Sequence, residues 1–136
     1  MKDTLKVGET HTKRFDIDRE RTIDFMGDEL RVYATPNLVR DMEHTCRDLI
    51  MKHAEGDEDS VGAHVSVDHM GATLLGMHVD ITAKVVEVEG PRVTFELEAH
   101  DDLEQVGRAK HVRFVINKTK QAERLKKKAE KAKAAG

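Results

Sequence analysis

The sequence predicts an α+β fold in which an antiparallel β-sheet wraps one long central helix, and three features of the 136-residue chain predict it. Apolar residues recur at helical spacing in a single stretch, residues 35–54. A period of two then governs most of the chain as far as Asn117. The alternating runs are separated by short turns rich in Gly, Pro and Asp.

Composition bounds the rest. With 38% apolar and 36% charged side chains, the chain has the makeup of one soluble globular domain large enough to hold a core without staples. The single cysteine, Cys46, excludes a disulfide framework and fits a reducing cytoplasm. MKDTLKVGET has no apolar run of signal-peptide length, and no stretch approaches a membrane span. The net charge of −3 is unevenly spread: residues 118–136 carry eight Lys/Arg and two Glu, a tail of +6, which leaves −9 on residues 1–117. An acidic body with 4% aromatics and no Trp is a poor surface for phosphates or stacked bases, so nucleic acid has access only through the tail and ranks last among partners.

Thr10–Ile17 reads as a first strand, and Asp18–Leu30 as a charged loop or lid. Thr35-Pro36 suits an N-cap followed by a first helical residue. Leu38, Val39, Met42, Cys46, Leu49 and Ile50 share a helix arc of about 120°, with Arg40, His44, Arg47 and Met51 opposite, and the pattern ends at His53-Ala54-Glu55-Gly56. Val65 and Val67 begin the alternation. Val79, Ile81, Ala83 and Val85 continue it, and the slip at Val85-Val86 predicts a bulge. After Gly90-Pro91, Val93, Phe95, Leu97 and Ala99 form one face; after Asp101-Asp102, Val112, Phe114 and Ile116 line the last strand. A small sheet with one helix leaves a face and edges open, which predicts a homodimer, with higher assembly undecided. The lysine-rich segment from Lys118 reads as a partly helical, solvated tail without an apolar stripe, a reading preferred over a cationic clamp for phosphates.

Three residues stand out chemically. Glu43 sits at the rim of the helix stripe, where partial desolvation favours a base; the plainer reading is an ion pair with Arg40 and Arg47. His69 shares strand parity with Val65 and Val67, so its ring is expected to face the helix, where a hydrogen-bonded core histidine is the plainer reading. Thr35 is explained by capping alone, although a capping oxygen leaves its proton free for a ligand. Eight histidines invite a metal, yet no His-Glu-x-x-His pair exists, His64 and His69 have opposite parity, and none is expected. Cys46 lies in the apolar stripe and reads as a buried thiol. No glycine-rich phosphate loop and no G-x-S-x-G elbow is present.

The segments Val7-Gly8-Glu9, YATPNLVRDMEHTC and VGAHVSVDHMGATLLGMHVDITAKVVEVEG, with AHD further on, resemble the hot-dog-fold thioesterases of the fluoroacetyl-CoA thioesterase type. The resemblance runs from about Lys6 to Asn117, which makes residues 1–117 a hot-dog thioesterase domain and 118–136 a basic C-terminal tail. Its specific part is Thr35, Glu43 eight positions on, and His69 within V-x-H-x-x-A-T-x-x-G, here Val67 to Gly76. It implies a dimeric fold and a catalytic set of Thr35, Glu43 and His69 in a pocket at the dimer interface. It also places Gly62 near the acyl group and Arg113 near the CoA end. Two departures matter: Glu29 stands where the fluoroacetyl-specific enzyme has an aromatic gate, and Pro36 offers no N–H to an oxyanion, which leaves the amides of Asn37 and Leu38.

The resemblance thus implies a cytoplasmic homodimer that hydrolyses a small or short-chain acyl-CoA, with no cofactor beyond the coenzyme A of the substrate. Thr35 serves either as nucleophile or as hydrogen-bond donor, and the sequence does not separate the two. The alternatives are a hot-dog protein that binds or senses acyl-CoA without turnover and, less well supported, an acyl-CoA hydratase.

Overall fold

The computed structural model describes residues 1–136. Strand β1 (Thr10–Asp16) leads through two single 3-10 turns to helix α1 (Thr35–Met51). Strands β2 (Glu58–His69), β3 (His78–Glu89), β4 (Arg92–Asp101) and β5 (Gln105–Asn117) follow, and helix α2 (Lys118–Ala135) ends the chain. All five strands form one antiparallel sheet in the order β1-β3-β4-β5-β2, with α1 on one face, the α+β arrangement expected.

The core explains why this arrangement holds. Val79, Ile81, Ala83 and Val85 of β3 and Val93, Phe95, Leu97 and Ala99 of β4 point to one face, and Leu38, Met42, Cys46, Leu49 and Ile50 of α1 pack on them. Burying each large apolar side chain is worth about 1.5–3 kcal/mol, against roughly 0.7 kcal/mol or less per residue of helix propensity. Docking therefore decides where α1 lies. Gly107 of β5 lets it lie close: a Cβ there would stand 3.2 Å from Leu38 Cδ2 and 3.4 Å from Met42 Cε.

The predicted bulge is present, as a register shift between Val85 and Glu87. Two expectations are corrected. The N-cap of α1 is Ala34, whose carbonyl accepts the N–H groups of Asn37 and Leu38 at 3.0 Å each; Thr35 is the first helical residue and its hydroxyl caps nothing. In β5 the helix-facing residues are Gly107, Ala109, His111 and Arg113, because they stand opposite the inward Ala99, Leu97, Phe95 and Val93 of β4; Phe114 is exposed. The outer sheet face is polar at its centre, where Lys84, Glu96 and Lys110 stand abreast and Arg108 pairs with Asp68 at 2.9 Å, and toward the β2 edge it carries the exposed apolar pair Val61 and Phe114.

The tail is one continuous helix with no buried residue. Asn117 caps it by accepting the Lys120 N–H, and the Lys118 N–H donates to the Asp57 carbonyl. No helix is long and apolar enough to cross a membrane. Replacing Gly107 by Val drives methyl groups into Leu38 and Met42; urea unfolding is expected to show a loss of about 1–3 kcal/mol.

Candidate functional site

The first turn of α1 opens outward, with Thr35 and Pro36 exposed and no acidic residue in that turn to neutralise the positive end of the helix. Beside it, the last residue of β2 turns its ring to the helix side. His69 Nδ1 meets Thr35 Oγ1 at 2.7 Å, while its Nε2 is buried without a partner. Burial holds the imidazole below its ordinary value of 6.5, so the ring is neutral at neutral pH and suited to accept a proton. The Tyr33 ring packs against it edge to face, with centroids 6.2 Å apart.

Glu43, two turns along α1, lies over Gly62 of β2. A Cβ on Gly62 would stand 2.6 Å from Glu43 Oε1, so any larger residue there would make the carboxylate swing away from this place. The expected ion pairs with Arg40 and Arg47 are replaced: Arg47 pairs with Asp59 at 2.6 Å, and Glu43 Oε1 stands 3.9 Å from His111 Nε2 and 4.0 Å from Arg113 Nη1. Arg113 is buried, donating to the side chain and carbonyl of Ser60 at 2.8 Å each and directed at His111 Nε2 at 3.1 Å. His111 Nδ1 faces the His64 carbonyl at 2.8 Å; a carbonyl only accepts, so Nδ1 carries the proton and Nε2 is free to receive from Arg113. Burial lowers the pKa of both His111 and Arg113, which leaves a guanidinium in a poorly hydrated place with the Glu43 carboxylate as its nearby counter-charge.

These are two clusters on one strand. His69 lies seven positions beyond Gly62, an odd separation that in a regular strand puts side chains on opposite faces. The ladder with β5 slips between Gly62 and His64, and this bulge brings Gly62 and His69 to the helix side together. Along the strand they remain about 20 Å apart at 3.3 Å per residue, so one protomer unites Thr35 with His69 and Glu43 with Gly62 and Arg113, but not the two groups.

The remaining expectations divide. The Asn37 and Leu38 amides are occupied by the Ala34 carbonyl and are not oxyanion donors; with Pro36 lacking an N–H, the Thr35 amide is left at the open helix end. Arg113, 6% exposed, lies at the floor of a small concavity that Glu43, Arg47, Ser60 and Gly62 also line. Glu29 is exposed in the lid, whose Asp28 is pinned by Arg19 and Arg31. Cys46 is buried, and burial pushes its thiol up, away from a nucleophile's range. The largest surface concavity, about 720 Å³, lies on the outer sheet face among Lys84, Glu96 and Arg108 and holds none of the candidate residues. Sequence reasoning missed Asp41, a buried carboxylate in the apolar stripe, and it missed Thr73 of the histidine motif. Thr73 donates to Asp101 at 3.0 Å, and its carbonyl accepts the Tyr33 N–H at 2.8 Å.

Residues 17–119 match the model of the fluoroacetyl-CoA-specific thioesterase family. The chain is 33% identical over 124 residues to the fluoroacetyl-CoA thioesterase of Streptantibioticus cattleyicolor, covering 86% of this chain and 89% of that protein. Among solved structures, a thioesterase superfamily member from Thermus thermophilus superposes with a TM-score of 0.87 at 27% identity over 97% of this chain and 98% of that one. A variant of the fluoroacetyl-CoA-specific thioesterase in complex with fluoroacetate and CoA superposes with a TM-score of 0.79 at 32% identity, over 85% and 98% respectively.

Because burial disfavours the imidazolium, the unfolded chain binds protons at His69 before the folded one does as pH falls. Folding stability is therefore expected to be full above pH 6.5, to decline below it, and to level off once the folded ring is protonated. An NMR titration of the His69 ring with a midpoint below 6.5, and a shallower decline in His69→Gln, are the expected readouts.

Proposed function

The chain belongs to the fluoroacetyl-CoA-specific thioesterase family and is a thioester hydrolase with the hot-dog fold, and we propose that it cleaves small or short-chain acyl-CoA in a pocket shared by two protomers. The observation that carries this reading is the 2.7 Å contact between Thr35 Oγ1 and His69 Nδ1 at the open N-terminus of α1. A hydroxyl bonded to a neutral imidazole, beside the positive end of a helix, is the equipment that attack on a carbonyl needs.

The carboxylate comes from the partner. β2 is an edge strand whose central side chains, Val61 and Val65 among them, are exposed. With Ala63 bulged out of the ladder, Gly62 and His69 lie three rungs either side of Ser66. Antiparallel pairing of two β2 edges centred there sets Gly62 and Glu43 of one protomer beside His69 and Thr35 of the other. The thioester carbonyl lies between them, its oxygen toward the Thr35 N–H and hydroxyl; Glu43 with His69 takes a proton from the attacking water, the C–S bond breaks, that proton passes to the leaving sulfur, and the acyl group departs as the carboxylic acid. Arg113, 4.0 Å below Glu43, holds that carboxylate in place. Coenzyme A leaves as the free thiol. With Glu29 in place of an aromatic gate, acyl groups other than fluoroacetyl are expected to be turned over. The catalytic unit is residues 1–117, and α2 takes no part in the chemistry.

A thiol-release screen over acyl-CoA chain lengths tests the activity; no release from any member excludes it. Glu43→Ala is expected to lower kcat by about 10² or more, and Thr35→Ala likewise. Mixing the two inactive variants after subunit exchange restores about a quarter of wild-type activity, because half of the dimers are mixed and each mixed dimer holds one intact site of two. If the site lay within one protomer, mixing would restore nothing. Gly62→Ala displaces the Glu43 carboxylate, with an expected loss in kcat of about 10–100-fold while unfolding free energy stays within about 1 kcal/mol.

A further inference from the structure

Asp41 occupies the core stripe of α1, one turn from Leu38 and Thr45, and is only 2% exposed. A carboxylate at such a position is stable only with partners brought from elsewhere in the chain. Arg21 supplies two, Nε at 2.9 Å and Nη2 at 3.3 Å, and Tyr33 Oη donates to the same carboxylate at 2.5 Å. Burial, then the bond to Asp41, pushes the Tyr33 phenol up, so it remains a donor.

Two lines of contact run from Asp41 to the Thr35–His69 pair. The Tyr33 ring, held at its tip by Asp41, packs against the His69 imidazole at 6.2 Å between centroids. The Arg21 carbonyl accepts the Ala34 N–H at 2.8 Å, and Ala34 is the residue immediately before Thr35. One buried carboxylate thus anchors the neighbours of both the imidazole and the hydroxyl. Stability alone does not call for it, since replacing buried ionic groups by apolar ones of similar size is often neutral or stabilising. The proposed chemistry does not use it either, because Glu43 supplies the carboxylate there.

We propose that Asp41 is a positioning residue for the Thr35–His69 pair, acting on the imidazole through Tyr33 and on the backbone before Thr35 through Arg21. This rests on thioester hydrolysis taking place at that pair. The double variant Asp41→Leu/Tyr33→Phe removes both ends of the Tyr33–Asp41 bond, while Arg21, 29% exposed at its side chain, gives up its Nε and Nη2 contacts to solvent and keeps Asp18 on Nη1 at 2.8 Å. It is expected to unfold at the same temperature as wild type or higher, yet to lose about tenfold or more in kcat for acyl-CoA with KM within about twofold. Asp41→Asn still accepts the Tyr33 hydroxyl and is expected to recover most of kcat. The ¹⁵N spectrum of the His69 ring supplies a readout independent of turnover: the bond to Thr35 is lost or heterogeneous in the double variant and kept in Asp41→Asn. A folded double variant with kcat within twofold of wild type overturns the proposal. If wild type releases no thiol while the ring spectrum changes as expected, the hydrolysis reading fails and the positioning stands; an unchanged spectrum overturns the positioning. Should the double variant not fold, Tyr33→Phe alone decides, with about a threefold or greater fall in kcat expected and an unchanged kcat overturning it.

Discussion

Everything in this protein depends on one docking event, the seating of α1 against the apolar rows of β3 and β4. That contact fixes the rotation of the helix about its own axis. Rotation in turn decides that Glu43 meets β2 over Gly62 and that the first turn meets the end of the same strand at His69. Both polar clusters are by-products of an apolar fit: the helix carries its chemistry on the side next to its buried stripe, at the boundary where the sheet edge begins. The absence of a side chain at Gly107 matters as much as any group present, since it sets how closely the helix approaches β5 and with it the depth at which Glu43 stands above His111 and Arg113.

The inner face of the sheet is divided by chemistry. Under the middle of α1 the rows are apolar; toward β5 and β2 they turn polar, with His111, Arg113 and Ser60 bonded to one another in the interior. A guanidinium so placed is costly to desolvate, and the structure offsets that with three hydrogen-bonding contacts and a carboxylate at the site's surface. The lid before α1 is held differently, by ion pairs at its rim and by Tyr33 and Asp41 beneath it.

Legibility in the sequence followed the uniformity of the inward positions. β3 and β4 were readable residue by residue because every inward side chain is apolar, and even the bulge after Val85 showed as a slip in that alternation. β5 was misread because its inward positions carry Gly, Ala, His and Arg, while the outward Val112, Phe114 and Ile116 imitate a core face. That error hid the partners of Glu43. Thr35 and His69 were legible through motif and parity, but the capping role assigned to Thr35 falls one residue earlier, to Ala34, with Thr35 the first residue of the helix. Asp41 was invisible as a functional element: a lone carboxylate within an apolar stripe reads as an interruption, and its partner Arg21 lies twenty positions away on a segment with no regular pattern.

The bulge in β2 gives this edge strand a reading frame. Gly62 serves one cluster and His69 the other, and they face the same way only because the ladder skips a beat at Ala63. Among the residues between them Val67 packs on the core, and the others can change in kind more readily than in number. Loss or gain of a single residue there would rotate one half of the strand relative to the other and present one of the two clusters to the solvent side, so the length of this segment is under tighter constraint than its composition.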